Sequence, residues 1–235
     1  NCRITFFGGE PLLNFNLVKY IVHYAKKISY HYGKNIYFSL TTNGTLLDDQ
    51  KIDFLIKENI DLTISIDGPK EIHNLNRPFK GNNKTGSYEI IIPNVLKYIE
   101  KAKKYKCYYC IRGTVTHLGI INICDLMDYF KIYKTNQIKL DFAEYKNNCS
   151  SNSFIISDDD LNIFRQKIKE AVVKYRKSRL TGEKNKCGSL LTGPLKAIEK
   201  KIKRKNFCIS PGSTYASISV EGDVFPCHRF VGHKE

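Results

Sequence analysis

An α/β fold with a parallel sheet is predicted for this chain by three observations. Apolar runs of strand length recur at residues 4–7, 36–40, 62–66, 108–116 and 137–142, each short enough for a strand and too short for a helix. Stretches with helical apolar spacing separate them. The first three runs end in polar or glycine turns, Gly8-Gly9-Glu10-Pro11, Thr42-Asn43-Gly44 and Asp67-Gly68-Pro69. Strand, helix, strand at this spacing implies parallel pairing through right-handed crossovers.

The elements follow in order. After the first strand, Phe15 to Tyr30 carries Leu17, Tyr20, Ile21, Tyr24, Ala25 and Ile28 at helical spacing, so these residues are expected to face the sheet. Ile36 to Leu40 is the second strand, and Asp48 or Asp49 can cap the helix that runs to about Glu58. Leu62 to Ile66 is the third strand. Gly81 to Gly86 reads as a polar loop and Ser87 as the cap of a helix reaching Tyr105. Pro93 lies inside that stretch, where a proline costs about 3 kcal/mol, so the helix is expected to kink there or to begin there.

Tyr108 to Thr116 is the fourth strand. Cys107 and Cys110 stand three apart and point to opposite faces, which makes them core thiols before a metal site. His117 reads as a turn residue at the end of this strand. A helix over Ile120 to Tyr133 and a fifth strand over Gln137 to Phe142 complete the pattern. Residues 1–146 are thus expected to form the main α/β domain, and residues 147–206 a linker with helices from Asp158 and Pro194. Residues 207–235 begin a second domain around a hairpin through Glu221-Gly222-Asp223.

The chain's 235 residues, 42% of them hydrophobic, are enough to bury a sizeable core. No run of about eighteen apolar residues exists, so no membrane partner is expected. Eight scattered cysteines in a chain of this size favour reduced thiols and metal ligation over disulfides, and a cytoplasmic location. The net charge of +15 fits either an acidic partner or a lysine-rich solvated surface.

Several residue types suit a small-molecule site. Gly8 and Gly9 let a ligand approach the backbone, and Glu10 offers an acceptor at the C-terminal end of a strand, where α/β barrels bind ligands. The same three residues also fit an ordinary strand-to-helix turn. Ser65 and Asp67 share a strand face and suit a ribose diol, while Arg77 suits a carboxylate.

Taken in order, Gly8-Gly9-Glu10, Thr42-Asn43-Gly44, Ser65-x-Asp67-Gly68-Pro69, Arg77 and the pair Cys208-x13-Gly222-x4-Cys227 resemble a radical S-adenosylmethionine (SAM) enzyme with a SPASM-type auxiliary-cluster domain. The resemblance implies a partial (β/α)6 barrel, with five of six strand-helix units, followed by the start of the SPASM domain. It also implies that Gly8, Gly9 and Glu10 meet the amino group of S-adenosyl-L-methionine, Ser65 and Asp67 its ribose, and Arg77 its carboxylate. Cys208 and Cys227 would bind an auxiliary [4Fe-4S] cluster, with Cys187 a further candidate.

Pro226-Cys227-His228-Arg229-Phe230 resembles maturases that install thioether cross-links in ribosomally made, cysteine-containing peptides. That implies a precursor peptide as substrate and a flavodoxin or ferredoxin as electron donor, with nucleic acid an unexpected partner. Sulfatase-maturating enzymes are the alternative. They carry an Asp base directly after the matching cysteine, where this chain has His228, itself a candidate base. A third reading is a cluster-free basic protein that grips RNA or an acidic leader peptide.

The family's Cys-x3-Cys-x2-Cys is absent from this sequence. Cys2 has no partners at that spacing, and Cys107 and Cys110 have Lys103 where a first cysteine would stand. The chain is therefore expected to be a piece of a longer enzyme and not to cleave SAM by itself.

Overall fold

The computed structural model describes residues 1–79, 86–135, 137–143, 156–180, 201 and 215–232. It falls into two compact units, Asn1–Pro194 and Leu195–Glu235.

In the first unit, β1 (Cys2–Phe6), β2 (Ile36–Thr42), β3 (Asp61–Ser65), β4 (Tyr109–Val115) and β5 (Gln137–Phe142) lie side by side in chain order, all parallel. The helices are α1 (Phe15–His31), α2 (Asp49–Lys57), α3 (Lys70–Asn76), α4 (Ser87–Lys104), α5 (His117–Ile121), α6 (Ile123–Tyr129) and α7 (Asp158–Leu180). The predicted sequence of strand and helix units is therefore the observed one, and the fold is the partial barrel expected.

One face of the sheet packs beneath helices. Phe38, Leu40, Leu62, Ile64, Tyr109, Ile111, Ile138 and Leu140 join Val22, Leu55, Val95, Leu126 and Phe130 in a single buried core. Alternation along the strands puts polar residues on the other face. Gly113 sits on the core side of β4, where an added Cβ would come within 2.9 Å of the Ile66 carbonyl oxygen; only glycine leaves room for that approach.

Five details differ from the sequence reading. In α1 the buried positions are Val18, Val22 and Ala25, whereas Leu17, Tyr20, Tyr24 and Ile28 are exposed. The helix has apolar residues on more than one stripe, and the sheet takes the Val18 stripe. Ser87 is the first residue of α4, not its cap; Gly86 holds that place. The helix runs on through Pro93 and does not begin there; the missing N–H of that residue leaves the Glu89 carbonyl without its usual helical donor. The expected helix at 120–133 is two, broken at Asn122, whose side-chain amide donates to the Leu118 carbonyl at 3.0 Å. Helix α3 is an addition to the expected elements.

In the second unit, β6 (Ser217–Ile218) and β7 (Val224–Phe225) pair antiparallel, which is the expected hairpin in shorter form. Ser219 Oγ accepts from the amides of Glu221 and Asp223, each at 3.2 Å, and Gly222 takes φ +95° to close the turn. The expected helix at 194–205, the loop at 81–85 and Cys149, Cys187 and Cys208 lie outside the described residues. Among the described residues no helix is long and apolar enough to cross a membrane.

Candidate functional site at the C-terminal edge of the sheet

Because all five strands run the same way, the turns that follow them gather on one edge. Gly8, Gly9 and Glu10 follow β1, Asn43 and Gly44 follow β2, Ser65 ends β3, Asp67 follows it, and Thr114 lies near the end of β4. Parallel α/β sheets bind ligands at this edge.

Gly8 and Gly9 adopt φ +95° and +31°, and the space where a Cβ would stand at either one is empty for 4 Å. The loop therefore offers bare backbone beside an open volume. Glu10 ties this loop to the next: Oε1 accepts from Thr42 Oγ1 at 2.8 Å and from the Leu12 amide at 3.2 Å, and Oε2 accepts from the Asn43 amide at 2.7 Å. A carboxylate has about four acceptor positions, so one remains on Oε2 for a ligand's ammonium.

Asp67 is buried and points at Arg77. Its Oδ2 accepts from Arg77 Nε at 2.8 Å, and its Oδ1 from Arg77 Nη2 at 3.1 Å and from the Thr114 amide at 2.8 Å. The carboxylate thus fixes the guanidinium by its side edge and leaves the end edge, Nη1 with Nη2, for another anion. Arg77's side chain keeps 32% of its surface accessible, against 2% for Asp67. In this arrangement Asp67 serves first to position Arg77. Ser65 is nearly buried on the polar face beside it.

A second set of bonds holds the backbone of Arg77. The Asp67 amide donates to His73 Nδ1 at 3.2 Å, His73 Nε2 lies 3.1 Å from Ser87 Oγ, and Ser87 Oγ donates to the Arg77 carbonyl at 2.6 Å. Since Nδ1 accepts, the proton sits on Nε2 and points at Ser87. His73 is fully buried, and burial pushes its pKa down to about 4, against a raising pull from Asp67. The imidazole is a neutral brace between α3 and α4. Asn74 fastens the same two helices, accepting from the Tyr88 amide and donating to Glu89; Lys70 and Asn74 together hold the Glu89 carboxyl down at about 2.

His117 opens α5, where a turn residue was expected. Its Nδ1 pairs with the buried carboxylate of Asp160, which also accepts from the Ser157 amide and hydroxyl. In the second unit, Cys227 is buried at the start of a short 3₁₀ turn, with Sγ 3.7 Å from His228 Nδ1. His228 also lies 3.2 Å from the Tyr215 hydroxyl and is exposed. Cys208, the partner expected for Cys227, falls outside the described residues.

Of the residues singled out from sequence, Gly8, Gly9, Glu10, Ser65, Asp67 and Arg77 meet at one edge. No sequence pattern points to the parts played by His73, Ser87 and Thr114, because each acts through a neighbour distant in the chain. Among the described residues no group of three or more His, Cys, Asp or Glu is placed to hold a metal ion.

The profile of the Radical SAM superfamily matches residues 3–105, which span β1 to α4. A cysteine-type anaerobic sulfatase-maturating enzyme of Clostridium perfringens is 36% identical over 132 residues, 56% of this chain and 34% of that relative. The radical SAM cyclopropyl synthase TigE of Paramaledivibacter caminithermalis is 29% identical over 144 residues, 61% of this chain and 25% of the relative. The chain thus matches about a third or less of the length of either relative. The solved structure of native anSMEcpe with bound AdoMet and Kp18Cys peptide superposes with TM-score 0.74 at 26% identity, covering 98% of this chain and 61% of that one. Over residues 3–105 the chain is thus similar to the Radical SAM superfamily, and the motif residues that carry the likeness gather on one strand edge.

Proposed function

We propose that the edge formed by Gly8, Gly9, Glu10, Ser65 and Arg77 binds S-adenosyl-L-methionine in a peptide-modifying radical SAM enzyme. The observation that carries this reading is the Asp67–Arg77 pair, which holds a guanidinium with its end edge open at the same sheet edge as the bare glycine loop. Arg77 takes the carboxylate of the amino acid portion end-on. The last acceptor position of Glu10 takes the ammonium, Ser65 reaches the ribose, and Asp67 acts chiefly through Arg77.

A bound [4Fe-4S] cluster supplies the electron that splits SAM in this family. The eight cysteines of this sequence hold no Cys-x3-Cys-x2-Cys, so the residues present do not fit that cluster. Cys227, with Cys208, fits an auxiliary cluster of the SPASM kind, completed by ligands from elsewhere. The intact protein's electron donor is a flavodoxin or ferredoxin, and its location cytoplasmic.

The substrate is a precursor peptide, and the favoured product a thioether cross-link. Support comes from the resemblance around Cys227-His228 and from a similar structure that holds a peptide. A sulfatase-maturating activity is the second reading, favoured by the 36% identity to such an enzyme and weakened by His228 at the position of that group's Asp base.

Calorimetric titration of the chain with SAM tests the binding site. Saturable binding is expected, with at least about a tenfold loss in Arg77→Ala, the size of a charge-assisted hydrogen bond. No binding by the native chain, or binding unchanged in Arg77→Ala, would overturn the assignment.

A further inference from the structure

Parallel sheets are ordinarily covered on both faces and built from continuous apolar runs. This one is mainly polar on the face away from the helices, where Tyr37 and the buried Cys110 are the exceptions. On its other face Ser65 of β3 stands in register with Arg112 of β4, and Arg112 with Lys139 of β5, a transverse row with neighbouring strands about 4.8 Å apart. The next row holds Thr114 beside Asp141. Asp141 binds Arg112 at Nε, 2.9 Å away, in a pair whose side chains keep 42% and 56% of their surface accessible. Arg112 therefore has its terminal nitrogens to spare, and Lys139 forms no ion pair among the described residues. Both cations also act on the Cys110 thiol, opposing the rise that burial imposes. The three side chains thus share one small region of the face.

We infer that Arg112 and Lys139 form an anion subsite on the polar face of the sheet that takes the side-chain carboxylate of an Asp or Glu in the peptide substrate, beside the Ser65 end of the SAM site. This rests on the proposed function, since it supplies the substrate class for the same site. Closing of a barrel turns this face inward, so an extended peptide lying across it would bring a carboxylate to the row next to Ser65. Arg112 provides the planar fork and Lys139 the point charge. Asp141 positions the fork and also competes with the ligand, which sets the direction expected for its replacement.

The test compares two fluorescein-labelled peptides, Gly-Ser-Glu-Cys-Gly-Ser and its Gln counterpart, by fluorescence anisotropy against the whole chain. The native chain should bind the Glu peptide about tenfold more tightly than the Gln peptide. Lys139→Met should abolish that preference, while Lys103→Met, an equal loss of charge on the exposed end of α4, should keep it. Asp141→Asn should strengthen binding of the Glu peptide, an independent check should Lys139→Met fail to fold. Equal binding of the two peptides, equal losses in the two lysine variants, or no gain in Asp141→Asn would overturn the subsite. SAM binding, measured in parallel, separates the two proposals: a Lys139-dependent preference without SAM binding refutes the SAM assignment alone, and SAM binding without the preference refutes the subsite alone.

Discussion

Between pH 7.5 and 5, above the range in which the carboxylates titrate, acid should weaken this fold through His73. The imidazole is fully buried, its Nδ1 already accepts from the Asp67 amide, and its pKa falls from the ordinary 6.5 to about 4. A group that binds its proton less readily when folded favours the folded state above its unfolded pKa and loses that advantage as pH falls. The loss begins near pH 6.5, where the unfolded chain starts to take up the proton, and is complete near pH 4, where the folded one does too. His73 contributes about 3 kcal/mol to the pH dependence between those limits, of which roughly 1 kcal/mol is lost by pH 6 and about 2 kcal/mol by pH 5. Urea unfolding followed by circular dichroism at pH 7.5, 6 and 5 measures it, with His73→Gln as the reference that cannot titrate. The stability difference between native chain and variant should shift against the native chain by those amounts as pH falls. The imidazole's carbon-bound protons, followed by NMR, should titrate near pH 4. A difference that stays constant across this range, or a titration near 6.5, would refute the neutral brace and with it the bond to Ser87 that holds the Arg77 carbonyl.

Two further outcomes are expected. The chain, reconstituted with iron and sulfide under anaerobic conditions and reduced, should release no more 5′-deoxyadenosine from SAM than a no-protein control, because no three of its cysteines have the spacing of the SAM-cleaving cluster; release well above that control would refute this. In the intact protein, Cys208→Ala and Cys227→Ala should each lower bound iron by about one cubane, while Arg77→Ala should leave the iron content alone; unchanged iron in both cysteine variants would end the auxiliary-cluster proposal.

The sequence alone determined the order and direction of the five strands, since strand-length apolar runs separated by helix-period stretches permit little besides parallel crossover pairing. It also implied that Gly8, Gly9, Glu10, Ser65 and Asp67 would lie together, because parallel strands bring their C-terminal turns to one edge, whereas Arg77, at the end of α3, reaches that edge only through its tertiary pairing with Asp67. What the tertiary structure decided was which partner each group takes. Asp67, expected from sequence at a ribose, is seen here to support Arg77, because the Thr114 amide and the guanidinium, 47 and 10 residues away, converge on it. Apolar residues on two stripes of α1 could not say which stripe the sheet would cover; packing chose Val18, Val22 and Ala25. The brace from His73 through Ser87 joins residues on two helices separated by a loop, and no local pattern marks it. The polar face with Arg112 and Lys139 follows from the alternation Ile111-Arg112-Gly113-Thr114 and Ile138-Lys139-Leu140-Asp141, yet only the register of β3, β4 and β5 set the two cations and Ser65 in one row.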